Sequence, residues 1–353
     1  MRKLDEYKIV FTNCPNGVHY SGQPVQGEVV VQLKEAVKVK NVRLTFHGDA
    51  NVHWSESSGS GKSRTTTSYS GFEIYFSDTL VIWGEQESSS SQPRLLKAGK
   101  HRFPFSYVLP EHCPSSFEGF HGQIRYSVTC TIDWPWKLNA DIVQPFFVVS
   151  KLDLNQDPRS TKSVKVERTK TLGCCFCSAG TLSAEATITR PGLVVGEVIE
   201  VNVSINNQSS REVESGRVKL KLIQNLALRA TTGRERHEKQ LIVETCSSEK
   251  VESHQSKDML LRLQVPPVPN TLEFQSNVLD IFYMAQVEIS PTGMSTDLDL
   301  FLPVLIGSVP LRSTGEKSKL KATPPAVGFQ QTKSNPTRND QGVAKNHPSI
   351  PQH

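Results

Sequence analysis

The chain has 353 residues, 37% hydrophobic and 21% charged, with a formal net charge of +5. That length accommodates two domains and a tail, and the composition suits two β-type cores of modest size. The charge is too mild for a nucleic-acid binder without a recognisable motif, and seven cysteines at irregular spacing fit free thiols better than a disulfide framework.

The opening stretch, MRKLDEYKIVF, is charged and has no continuous apolar core, so a cytosolic chain without a secretory signal is expected. PVQGEVVVQL at Pro24–Leu33 reads as a strand. In VKVKNVRLTFHG, Val37 and Val39, then Val42, Leu44 and Phe46, alternate with polar residues, and the phase slip near Asn41 predicts a β-bulge. Lys34, Lys38, Lys40 and Arg43 form a basic set there: an anionic-partner surface, or a solvated strand face. SESSGSGKSRTTTSYSG, Ser55–Gly71, has the Ser, Gly and Thr content of a mobile surface loop. HRFPFSYVL and IRYSVTCTI resume the alternation.

Residues 1–151 therefore read as a first domain and 152–177 as a connector, with an edge strand at Ser163–Lys170. The connector ends in GCCFC, where Cys174, Cys175 and Cys177 suit either reversible acylation beside basic residues or a cysteine-rich strand start. EVIEVNVSI, GRVKLKLIQ and DMLLRLQV are strands of a second domain, 178–312. LDLFLPVLIGSVPL, Leu298–Leu311, holds two prolines and is too short to cross a bilayer. From Ser313 to His353 apolar periodicity vanishes, which predicts a disordered tail.

The two halves repeat one another. Gly27-Glu28-Val29 and Gly196-Glu197-Val198 stand 169 residues apart, while Pro110 and Pro266, and Tyr126 and Phe282, stand 156 apart. Anchors in the same order predict two copies of one domain, with the Ser55–Gly71 loop as an insertion in the first and a glycine easing the turn into each copied strand. The period is far above that of a solenoid. Many short strands with frequent turns predict an all-β protein of two tandem sandwiches.

No nucleophile motif, Gly-rich phosphate loop or paired-carboxylate signature occurs, so neither an enzyme nor a cofactor is expected. His112, Cys113, His121 and Cys130 match no zinc template, and no metal is expected.

Quoted segments carry a family resemblance. YSGQPVQGEVVVQL, VKNVRLTFHGDANVHW, FPFSYVLPEHCPSSFEGFHGQIRYSVTCTID and QPFFVV resemble the N-terminal arrestin domain of the α-arrestins, the arrestin domain-containing proteins. ATITRPGLVVGEVIEVNVSINNQSSREV, VPPVPNTL and DLFLPVLIGSVPL resemble the C-terminal domain, so the likeness spans Leu4–Leu311. It implies a non-enzymatic adaptor that is cytoplasmic and recruited peripherally to plasma membrane or endosomes. Its partners would be receptor or transporter cargo, other arrestins, and a ubiquitin ligase reached indirectly. The resemblance leaves room for a thioredoxin-binding redox regulator or a retromer-type sorting subunit. For the redox reading the C-domain cysteine is Cys246, whereas the matching position falls nearer Ser253–Gln255.

The family also implies Pro-Pro-x-Tyr motifs that dock on WW domains. Here Pro324-Pro325-Ala326-Val327 puts valine where tyrosine would sit, and no tyrosine follows Tyr283. Two prolines pre-form the polyproline II turn, but valine lacks the flat ring and hydroxyl. A tail peptide with Val327→Tyr should bind WW domains measurably in a titration where the natural peptide does not. Tight binding by the natural peptide would refute the loss of the dock.

Overall fold

Strict alternation builds the strands. In Val198–Ser209 every second side chain is buried, which puts one face on a core and the other in water. The computed structural model describes residues 4–312 except 15, 86–91, 136–137, 175–176 and 294–296, with only the backbone described at 62, 174, 177 and 178. The expected tail, with Pro324, Pro325 and Val327, lies outside the described residues, as does Cys175.

The first half contributes β1 (Leu4–Phe11), β2 (Val18–Tyr20), β3 (Pro24–Leu33), β4 (Val37–Val39), β5 (Asn41–Ser58), β6 (Thr65–Gly84), β7 (Arg94–Leu96), β8 (Gly99–Val108), β9 (Phe117–Glu118), β10 (Gly122–Ile132) and β11 (Ala140–Val149). The second contributes β12 (Val164–Cys174), β13 (Cys177–Ile188), β14 (Gly192–Val194), β15 (Val198–Ser209), β16 (Val218–Arg229), β17 (Glu235–Cys246), β18 (Gln255–Gln264), β19 (Leu279–Ile289) and β20 (Leu298–Gly307). Two short 3-10 turns, Gly61–Ser63 and Pro158–Ser160, are the only helical elements among the described residues. Each half is a sandwich of two main sheets, as expected, and the first half adds the two-stranded sheet β4-β7.

The repeat is a repeat of topology. Sheet order β2-β11-β10-β5-β6 in the first sandwich matches β14-β20-β19-β16-β17 in the second, and β1-β3-β8 matches β13-β15-β18, where β12 adds an edge. β2 and β14 each run parallel to the last strand of their own sandwich.

The anchors that reveal the repeat are not the Gly-Glu-Val pair. Gly22 N donates to Pro110 O at 3.3 Å and Leu109 N to Gln23 O at 3.1 Å; Gly196 N donates to Val265 O and Val265 N to Glu197 O, both at 2.9 Å. Gly22 and Gly196 are therefore the equivalent turn glycines, 174 residues apart, both with positive φ. Gly27 instead sits inside β3, where an added Cβ would lie 2.4 Å from Val10 O and 2.6 Å from the Phe105 ring.

Tyr126 likewise matches Tyr283, not Phe282. Their hydroxyls donate to Pro114 O at 2.7 Å and Pro269 O at 2.8 Å. A one-residue slip along a strand exchanges the two faces, so Phe282 points outward.

One expectation is corrected and two are made more exact. Ser55–Gly71 is not a mobile loop: β5 and β6 stay paired to Ser58↔Thr65, and only the turn between them is unpaired. Cross-strand contacts between hydroxyls, Ser55–Ser68 at 2.9 Å and Ser57–Thr66 at 3.0 Å, extend the ladder. The β-bulge expected near Asn41 falls at the register shift of β5 against β6 between Val42 and Arg43, just after a bend at Lys40 where the chain passes from β4, paired with β7, to β5. The edge strand expected at Ser163–Lys170 is β12, which runs on to Cys174 and pairs with β13 from Val164↔Ile188 to Cys174↔Cys177. Only 152–163 link the sandwiches.

One core residue sets a pH limit. His19 is 1% exposed, edge-on to Phe11 and Phe146 at 5.2 and 5.6 Å, and its Nε2 has no hydrogen-bond partner among the described residues. Burial holds its pKa below the ordinary histidine value. The unfolded chain then binds the extra proton as pH falls through about 6.5, so this contribution to stability is present above that pH and lost below it. His19→Leu should shrink the drop in unfolding midpoint between about pH 7.5 and about pH 5.5. An equal drop in both proteins would show that His19 does not set it.

Candidate functional site

The candidate site is the seam between the sandwiches, because there the fold brings charged side chains from both halves together. Its floor is apolar and glycine-lined. A Cβ on Gly71 would lie 2.3 Å from Arg229 O, and one on Gly122 would lie 3.0 Å from the Leu228 side chain. Small residues let β6 and β10 close on β16 and β19. Thr231 N donates to Ser70 O at 2.9 Å, which anchors the β16–β17 turn to β6.

Around this floor runs a polar chain. Asp280 is buried at the start of β19 and pairs with Arg229 at the end of β16. Hydrogen bonding to Asp280 pushes the Arg229 pKa up, and Glu235 adds to it at 3.3 Å. The other carboxylate oxygen of Asp280 accepts Phe274 N at 3.0 Å. Phe274 has φ of +59°, in the left-handed region that bulky residues avoid. The turn so held offers Ser276 and Asn277 to Glu73 of β6. Glu73 accepts Ser276 Oγ at 2.8 Å, Asn277 N at 2.8 Å and Asn277 Nδ2 at 2.6 Å. Tyr75 Oη donates to Ser276 Oγ at 3.1 Å while its ring stacks near Tyr126, so this turn is wired to the first core. Burial pushes the Tyr75 phenol up.

The flank repeats the logic. Glu238 of β17 binds His121 of the first sandwich and Arg236 beside it. Arg234 reaches Glu56 at 3.0 Å; this contact, with Trp54 Nε1, lowers the Glu56 pKa. On the other side the linker is pinned. Asn270 Nδ2 donates to Ser150 O at 2.7 Å, Ser308 N to Leu152 O at 3.0 Å and Leu154 N to Val309 O at 3.2 Å. Arg159 joins Asp157 at 2.8 Å to Glu273 at 2.5 Å.

The residues singled out in the sequence lie elsewhere. Lys34, Lys38, Lys40 and Arg43 gather at the end of the first sandwich remote from the seam, with Lys38 exposed opposite Leu95 on β7. Lys34 faces Asp5 at 3.3 Å, and Arg43 faces Asp133 at 3.7 Å. Cys174 and Cys177 pair across the tip of the β12–β13 hairpin. Cys246 is exposed at the end of β17. Cys113 and Cys130 are core thiols, each pushed up to about 12 by burial, which makes them poor nucleophiles. His121 serves the seam. Among the described residues no three metal-ligating side chains converge.

Sequence reading missed Glu73, Arg229, Ser276 and Asp280. The available signal was Asp280 itself, a lone acid in the apolar run NVLDIFYM. Removing the Glu73 carboxylate breaks three hydrogen bonds to a charged acceptor across the seam, two of them from exposed Asn277, so Glu73→Ala should cost roughly 1–3 kcal/mol. Calorimetry should show a lowered or split unfolding transition. An unchanged single transition would mean that the clamp contributes nothing to coupling.

Residues 8–155 match the N-terminal domain model of arrestin (or S-antigen), and residues 178–311 match its C-terminal domain model. Arrestin domain-containing protein 17 of Caenorhabditis elegans is 30% identical over 357 residues, spanning 92% of this chain and 79% of that one. Human arrestin domain-containing protein 4 is 28% identical, spanning 88% of this chain and 73% of its own length. Human thioredoxin-interacting protein is 29% identical over 213 residues, 60% of this chain and 52% of that one. Two arrestin domains in tandem, with relatives among the arrestin domain-containing proteins matched over about three quarters of their own length, place the sequence: the chain belongs to the α-arrestin family.

Proposed function

We propose that this chain is a non-enzymatic adaptor in membrane-protein trafficking, linking receptor or transporter cargo to endocytic, endosomal-sorting or ubiquitination machinery. The observation that carries this reading is the seam. The Arg229–Asp280 pair and the Glu73 clamp hold two sandwiches as one frame, and an adaptor needs two outward surfaces at a fixed spacing.

The basic end of the first sandwich suits the acidic or phosphorylated segments that cytoplasmic tails carry. Lys34 and Arg43 already answer Asp5 and Asp133, so contact with cargo rests on Lys38 and Lys40. Recruitment to plasma membrane or endosomes is peripheral. Among the described residues no helix is long and apolar enough to cross a membrane. Acylation at Cys174, Cys175 or Cys177 would add a lipid anchor to the chain. A ubiquitin ligase arrives through another surface or a partner arrestin.

Proximity labelling in cells tests this with the wild-type chain and a Lys38→Glu/Lys40→Glu variant. The wild type should label integral membrane proteins together with sorting or ligase components, and the folded variant should lose most of the membrane proteins. A wild-type catalogue without membrane proteins would sink the adaptor reading. Equal labelling by both would move cargo contact away from the basic end.

A further inference from the structure

The outer face of the β14-β20-β19-β16-β17 sheet is apolar where an exposed sheet face is ordinarily polar. Register places Leu241, Ile223, Met284 and Pro303 in one row across four strands. Phe282 and Phe301 flank that row, and the surface dips into a groove of about 570 Å³. Leu241 is 49% exposed and Phe301 41%. Burying such side chains is worth about 25 cal/mol per Å², so the groove invites cover.

A second feature adjoins it. β17 ends the sheet, and among the described residues no strand pairs with its outer edge. Its register against β16 is regular from Glu235 to Leu241 and shifts only beyond that, between Leu222 and Ile223 of β16. An edge of this kind can accept an extended peptide through main-chain hydrogen bonds, with alternate side chains reaching neighbouring pockets.

Charge narrows the occupant. Around the groove Lys221 pairs with Glu288, Lys219 with Glu244 at 3.6 Å, and Arg229 with Asp280. Lys239 alone sits over an aromatic ring, 5.7 Å from the centre of Phe301, and no carboxylate pairs with it among the described residues. The rim therefore favours an acid. The chain's own tail is a poor match: after Ser313 it holds Lys317, Lys319, Lys321, Lys333, Arg338 and Lys345 against Glu316 and Asp340. A two-fold second copy would set the same basic rim against itself. The groove also runs into the seam, since Glu238 lines it and binds His121. Beside His121, the Phe120 ring is 92% exposed.

We propose that this face docks an extended segment of a partner protein. That segment adds as a strand to β17, lays large apolar side chains against Leu241 and toward Ile223, and sets an acid against Lys239. The site is separate from the basic end and does not depend on its role.

Fluorescence anisotropy with the full chain tests the proposal. The probe is a fluorescein-labelled octapeptide with glutamate, leucine and phenylalanine at alternate positions and threonine elsewhere. Saturable binding is expected, weakened about tenfold or more by Leu241→Lys, an exposed change that leaves the unfolding midpoint in place. Lys239→Glu should weaken the glutamate peptide and strengthen a lysine version, a charge swap that mere loss of fold cannot produce. No saturable binding, or binding indifferent to both substitutions, overturns the proposal. So does tighter probe binding by full-length Val327→Asp/Phe329→Asp, which would assign the groove to the tail. Self-association abolished by Leu241→Lys would assign it to a second copy and overturn it equally.

Discussion

A buried carboxylate needs a partner, and Asp280 governs how the two sandwiches meet. An isolated charge in that position would be prohibitive. Its two oxygens divide the work: one takes the Arg229 guanidinium and the other takes the Phe274 amide. The first contact ties two strands of the second sandwich. The second bends the 273–278 turn so that Ser276 and Asn277 meet Glu73 across the seam. Removing the carboxylate would free both a cation and a turn, so local chemistry at one residue is converted into the relation between domains.

The glycines complete that constraint from the other side. Gly71 has no room for a side chain against Arg229 O, and one on Gly122 would press on Leu228, so the backbones approach closely enough for Thr231 to reach Ser70. The seam is a tight apolar floor with a charged margin, and the linker 152–163 stitches its far side.

Much of the fold was legible in the sequence because its signal has period two. Alternation exposed the strands, and the order of anchors exposed the duplication. Positions within the duplication were less legible. Gly27 and Gly196 share neighbours in sequence but not a role, since only Gly22 and Gly196 occupy the left-handed turn. Tyr126 drew Phe282 rather than Tyr283 because both are aromatic, and only the bond to a proline carbonyl tells them apart. The Ser/Thr-rich hairpin read as a loop because its ladder is made of cross-strand hydroxyl pairs, which composition cannot distinguish from solvated polarity. The seam was illegible for a different reason: Glu73 and Asn277 are far apart in the chain, and nothing local in either announces the other. The basic set was visible, but not that Arg43 is committed to Asp133 or Lys34 to Asp5.

The pinning of the linker has a further consequence. Asn155 holds both Pro310 O and Arg312 N, at 2.9 Å each. The described chain therefore leaves the molecule at its waist, not from the far tip of the second sandwich. A short motif carried beyond Arg312 is tethered midway between the lobes.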